Sequence, residues 1–230
     1  MKKILESVIK DLERLNWRNF ETVALNTQKV LKEMLNNKEI ISLLLENLLK
    51  NDKLISFAEH YDFFDKLVLY VDKKDRFRIR LHLFSGDKST KHRPHHHRWV
   101  YSSVILRNGY KHFIYGTEEQ INENTKIKDL KPIVIREEKT GSIYTLNHNV
   151  FHSIEAEPDT VSVIIRGPAI KDRFLIMDKK TNKKWWEYGR KSETIEEIKR
   201  KSLDINQIRK IIDKLYKLEV FTPFRKRRPF

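Results

Sequence analysis

Apolar residues recur at helical spacing at the start of the chain. Ile4, Leu5, Val8, Ile9, Leu12 and Leu15 follow the i, i+3, i+4, i+7 rhythm of an amphipathic helix. Val23, Leu31, Met34 and Leu35 fit a second helical stretch, and residues 43–49 a third, so positions 3 to about 60 read as helical. The pattern then changes period. Residues 66–71 and 77–84 are strand-like, separated by the polar turn Asp72-Lys73-Lys74-Asp75. Short strand-like runs follow at 103–106, 110–115, 133–136, 141–146 and 161–166. Next come Phe174-Leu175-Ile176-Met177, a turn at 180–183 and Trp185-Trp186, which together suggest an edge hairpin. Thr194 and Glu197 have capping-box spacing ahead of Ile195 and Ile198. Ile205, Ile208, Ile211, Ile212 and Leu215 mark a final amphipathic helix.

Many short strands at close intervals predict a β-sandwich or barrel. The expected division is a helical segment over 1–62, a β-barrel over 63–190, and a helical segment with a basic tail over 191–230. With no repeat and no Gly/Ser-rich linker, the three parts are expected to form one compact unit. At 230 residues and 39% apolar content, a substantial core is available. The absence of cysteine removes disulfides, zinc–thiolate sites and cysteine nucleophiles. Residues 40–45 are the longest apolar cluster and too short to span a bilayer, and the N-terminus lacks a signal-type apolar stretch. A soluble cytoplasmic protein without a membrane partner is the expectation.

A net charge of +15 raises nucleic acid, a membrane surface and anionic small molecules as partners. Most of the excess is lysine spread along helices. The one concentrated run is Phe224-Arg225-Lys226-Arg227-Arg228. No nucleic-acid-binding signature accompanies it, so nucleic acid is the less favoured partner.

The candidate chemistry sits in Pro94-His95-His96-His97. Residues i and i+2 of a strand point the same way, so His95 and His97 can share one cation while His96 faces away. His152 is a third imidazole able to join them from another strand. The stretch from His95 through Ser102 to Gly109 resembles the first motif of the cupin family, with Ser102 standing at the position of its glutamate. Gly141 to His152 resembles the second motif, with Asn147 for its proline and Asn149 for its second glycine. Asn149 is expected to accept the positive φ such a glycine allows. Three histidines without the glutamate are most similar to the cysteine dioxygenase branch of cupins, which holds Fe(II) by three histidines.

The resemblance implies a mostly β fold, a double-stranded β-helix or jelly-roll barrel with N- and C-terminal helices packed around it. It also implies a metal site of His95, His97 and His152, with Fe(II) as cofactor and Zn2+, Mn2+ or Ni2+ as alternatives. One departure concerns substrate: the relay Ser-His-Tyr of cysteine dioxygenases is replaced by Ser162, Ile164 and Arg166. Three neutral ligands leave the metal charge uncompensated, which favours a small anionic, carboxylate-bearing substrate, with O2 as co-substrate. Arg80, Arg166, Tyr110 and Trp99 are the expected substrate-binding residues, Arg166 above all, because arginine offers carboxylates a planar fork. His112 is held in reserve as fourth ligand or acid–base. His82 is expected in the core, and His92 and His148 beside the site. A non-heme iron oxygenase is the leading expectation. A redox-neutral metal lyase, isomerase or bond-forming enzyme, or a non-enzymatic basic binding module, are the alternatives.

Overall fold

The computed structural model of the protein describes residues 2–87 and 91–221. The basic run 224–228 lies outside the described residues. Four helices come first: α1 (Lys2–Glu13), α2 (Phe20–Asn36), α3 (Lys38–Leu49) and the single turn α4 (Asp52–Ile55). Asparagines start three of them. The Oδ1 atoms of Asn19, Asn37 and Asn51 accept the backbone N–H groups of Thr22, Glu39 and Leu54, satisfying donors that a helix start leaves orphaned.

The strands are β1 (Glu59–Tyr61), β2 (Phe64–Val71), β3 (Arg78–Phe84), β4 (Tyr101–Arg107), β5 (Gly109–Thr117), β6 (Val134–Lys139), β7 (Ile143–Leu146), β8 (Val150–Ala156) and β9 (Val161–Arg166). A hairpin of β10 (Arg173–Asp178) and β11 (Lys183–Tyr188) precedes α5 (Ile195–Lys201) and α6 (Ile205–Lys217). The capping box of Thr194 and Glu197 is formed, and Asp204 with Gln207 makes a second one.

One sheet has the order β1-β2-β3-β9-β4-β7 and the other β6-β5-β8, all neighbours antiparallel. The segment at His95 extends the second sheet. His95 N–H donates to the His152 carbonyl at 2.9 Å, and His152 N–H returns the bond at 2.9 Å. β3, the His95 segment and β4 to β9 are thus divided between two four-stranded layers, β3-β9-β4-β7 and His95-β8-β5-β6, changing layer at every step of the chain except the β5–β6 hairpin. That is the strand order of a jelly-roll.

Side-chain alternation divides the core. On β9, Val161, Val163 and Ile165 join the layer between sheet and helices, with Leu31, Met34, Leu44, Leu45 and Ile212. Ile164 faces inward with Phe84, Tyr101, Tyr110 and Tyr144. A third cluster, Phe113, Tyr115, Phe151, Leu175 and Met177, lies under the hairpin. β9 is buried on both faces, so apolar residues stand on both, with Ser162 and Arg166 as the polar positions of the inward one.

Gly109 is fixed by crowding, since a Cβ there would lie 2.2 Å from the Glu138 carbonyl oxygen. Gly141 turns with φ +91°. Asn149 departs from expectation: it is absent from the positive-φ residues, which include Asn108, Asp159 and Asn182. Its side chain donates instead to Glu119 Oε1. Among the described residues, no helix is long and apolar enough to cross a membrane.

Candidate metal centre

His95, His97 and His152 meet at one point, with one ring nitrogen from each within 4.8 Å of the others. The reciprocal bonds between His95 and His152 set the first pair side by side, and His97 N–H donates to the His148 carbonyl to hold the second arm. Burial and the neighbouring imidazoles keep His152 and His97 well below the usual histidine range, and burial holds His95 low as well. All three rings are therefore neutral near pH 7, the form that binds metal.

The donor atoms fit a cation. The His95 Nδ1–H donates to the Arg93 carbonyl at 2.9 Å, leaving Nε2 bare. His152 Nδ1 lies 2.9 Å from His112 Nε2, and His152 Nε2 lies 2.8 Å from His97 Nε2. With His152 donating through Nδ1 to His112, its bare Nε2 faces His97 Nε2 at a separation that a proton on His97 or a shared cation would bridge. Imidazole donors suit iron, zinc and nickel alike.

The other histidines are distributed as follows. His96 points to the opposite side of its segment, buried edge-on against Phe151, and its Nε2 accepts the Leu175 N–H. It borders an open groove of about 440 Å³ with Glu118, Lys171 and Trp186, which excludes the three clustered rings. His92 is exposed. His148 is half-buried beside the site, with Nδ1 unpartnered. His82 lies on the inner face of β3 against Phe64 and Phe84. His112 sits behind His152 rather than beside the three ligand atoms.

Ser102 corrects the motif alignment. Its hydroxyl lies 2.6 Å from Thr27 Oγ1 on α2 and 2.6 Å from Thr145 Oγ1, so it faces the helices and not the histidines. Tyr101, one residue earlier, faces inward, with its ring 4.9 Å from that of His97 and 6.1 Å from that of His152. The inward position at this point of β4 is thus a phenol. Burial pushes the Tyr101 hydroxyl above its ordinary range, so it stays protonated. Trp99 stacks on His97 at 4.7 Å and 19°, and Phe174 lies 6.3 Å from both His95 and His97. Tyr110 and Tyr144 share a 2.6 Å hydroxyl contact deeper in the same face. Sequence reading offers Tyr101, with Trp99 and Tyr110, as a residue able to wall the pocket, and it misses Tyr144 and Phe174.

Arg80 and Arg166 both face inward, from β3 and β9. Arg166 is engaged: it donates to the Gly167 carbonyl at 2.7 Å and reaches Asp75 at 3.3 Å. Arg80 lies over the Trp99 ring at 5.3 Å, and its Nε is buried without a hydrogen-bond partner. Burial and the adjacent Arg78 push Arg80 down to about 10, the mark of a charge the protein compensates poorly. Nε2 of His82, Nε of Arg166 and Oγ of Ser103, on the same inner face, are also without hydrogen-bond partners.

No family model matches the sequence, and no curated protein does. Solved structures are similar to part of the chain. KdgF from Halomonas sp. is 15% identical, with 51% of this chain and 91% of that chain covered at a TM-score of 0.36. An RmlC-like cupin from Shewanella frigidimarina is 15% identical, with 50% and 86% covered at 0.35. Ectoine synthase from P. lautus is 11% identical, with 51% and 74% covered at 0.36. These likenesses span half the chain at low identity, and the jelly-roll stands on the strand order and register described above.

Proposed function

We propose that the protein is a metal-dependent enzyme that acts on a small carboxylate-bearing molecule, with Fe(II) held by His95, His97 and His152 and O2 as co-substrate. The observation that carries this reading is the convergence of three neutral imidazoles, two of them with ring nitrogens 2.8 Å apart, beside Trp99 and the half-buried Arg80 above it, whose Nε lacks a hydrogen-bond partner. Iron bound there would supply oxygen activation, chemistry that no side chain of the chain provides. The resemblance of the histidine motifs to three-histidine cupins supports iron, while the donor set also suits zinc.

The remaining roles belong to side chains. Arg80, with donors to spare and an apolar ring beneath it, is the anchor for the carboxylate. Trp99 and Phe174 wall the site and exclude water, which strengthens every charge interaction inside it. Tyr101 holds a protonated hydroxyl beside His97 and can donate a hydrogen bond to bound substrate. Cysteine stands outside the proposed substrates, because Ile164 and Arg166 occupy the positions of the thiol-oxidising relay.

The test is anaerobic reconstitution with Fe(II), then oxygen uptake measured across amino acids and other small carboxylates. Uptake dependent on one carboxylate and on iron supports the reading. Turnover by the Zn2+ form without oxygen would move the protein to redox-neutral Lewis-acid chemistry.

A further inference from the structure

We infer that Glu138 and His112 form a positioning pair that holds His152 in its ligand tautomer. The inference rests on the three-histidine site proposed above and concerns residues outside it.

β6 is exposed along most of its length, and its one buried position is a carboxylate: Glu138 is 2% exposed. Next to it on β5, His112 is 1% exposed. Burying two such polar groups at the wall of a barrel costs several kcal/mol unless each is paired. Their pairing runs in one direction only. His112 Nδ1 and Glu138 Oε1 face each other at 3.5 Å, neither making a hydrogen bond elsewhere, and Arg136 reaches the same oxygen from outside at 3.2 Å. Burial raises the Glu138 carboxyl, but the contact with His112 and the charge of Arg136 outweigh it and leave the group ionised.

An ionised carboxylate can only accept hydrogen bonds. A proton on His112 Nδ1 is the arrangement that lets these two buried atoms satisfy each other, and Nε2 then holds the lone pair. That lone pair faces His152 Nδ1 at 2.9 Å, so His152 must donate there and present a bare Nε2 to His97. Sheet register makes the row continuous: Tyr110 stands opposite Glu138, Ile114 opposite His152, and His95 bridges to His152 on the far side. A carboxylate on one sheet edge thus dictates which nitrogen a ligand offers at the other. His112 is therefore a positioning residue rather than a fourth ligand.

The experiment uses the full chain labelled with 15N at histidine, first without metal and then titrated with Co(II). In the metal-free protein, His112 and His152 are both expected as the Nδ1–H tautomer. His112→Phe should turn His152 into a tautomer mixture and raise the Co(II) dissociation constant by about 10- to 100-fold. His112→Gln places an acceptor near the former Nε2 and should stay within about threefold of the wild type. Glu138→Leu keeps both rings and should weaken cobalt binding on its own, yet add nothing in the His112→Phe background, as expected for residues acting as a unit. If His112→Phe does not fold, the Glu138→Leu tautomer shift decides. A wild-type His152 protonated at Nε2, or cobalt affinity within threefold in both His112→Phe and Glu138→Leu, would overturn the positioning role. If the Nδ1–H pattern is present and lost in His112→Phe while the wild type binds no cobalt, the pair stands and the metal reading fails.

Discussion

Two adjacent side chains on β4 carry opposite duties. Ser102 belongs to a hydroxyl chain with Thr27 and Thr145 that fastens α2 to the sheet, while Tyr101 turns toward His97 and His152. A glutamate at 102 would therefore be buried against α2 without a cation. Ser102→Glu should lower stability by roughly 3–5 kcal/mol, read from urea unfolding, without raising metal affinity. Tyr101→Glu should place its carboxylate beside the histidines and tighten Co(II) binding; the reverse ranking of the two variants would restore the original motif alignment. Arg80 offers a second residue-scale test. Arg80→Leu should weaken binding of the carboxylate ligand by roughly 30-fold or more while metal content and fold persist, whereas Lys recovers only part. Arg166→Leu, whose guanidinium already holds Asp75 and the Gly167 carbonyl, should instead show its main loss in stability. A dissociation constant unchanged in Arg80→Leu removes that residue from the site.

At the scale of elements, local chemistry explains what the sequence revealed and what it hid. Asp72 closes the β2–β3 turn by accepting from the N–H groups of Lys74 and Arg76 and from the Arg76 guanidinium. The Arg76 hydrogen bonds pull its carboxyl down to about 2. Because the folded value lies below the unfolded one, its stabilisation is complete above about pH 4 and lost as pH falls through about 2. Asp72→Asn should thus cost about 1 kcal/mol at neutral pH, because solvent screens the partly exposed Arg76, and approach no cost near pH 2. A cost that is constant across that range would show that the charge contributes nothing. The turn was legible because four polar residues interrupt two apolar runs. β8 was not: His152 and Ser153 sit side by side at the centre of the strand and break its alternation, each buried on a different face. β1 has only three residues, and α4 a single turn, too short for any period to show.

Over the whole molecule, the helices cover the outer face of the six-stranded sheet, and residues from α1, α2, α3, α6 and the strands β2, β3, β4 and β9 share one buried cluster. Leu44, wholly buried there, should cost about 2–5 kcal/mol when cut to alanine. If helices and sheet unfold together, tryptophan fluorescence and far-UV circular dichroism should give coincident transitions; two separated midpoints would divide the chain instead. The jelly-roll and the three histidines were readable because both depend on residues at fixed spacing. Glu138, Phe174 and Tyr144 were not, since their roles arise only when β6, β7 and β10 are brought against β4, β5 and β8.

The most direct measurement is metal content after anaerobic loading of the wild type and four single variants, with folding checked by circular dichroism. The wild type and His96→Ala should retain about one ion per chain, because His96 points to the other face. His95→Ala, His97→Ala and His152→Ala should each lose at least about 90% of it, a penalty of the size expected when one of three ligands is removed. Equal loss at His96, or undiminished metal in the three ligand variants, would contradict the three-histidine centre.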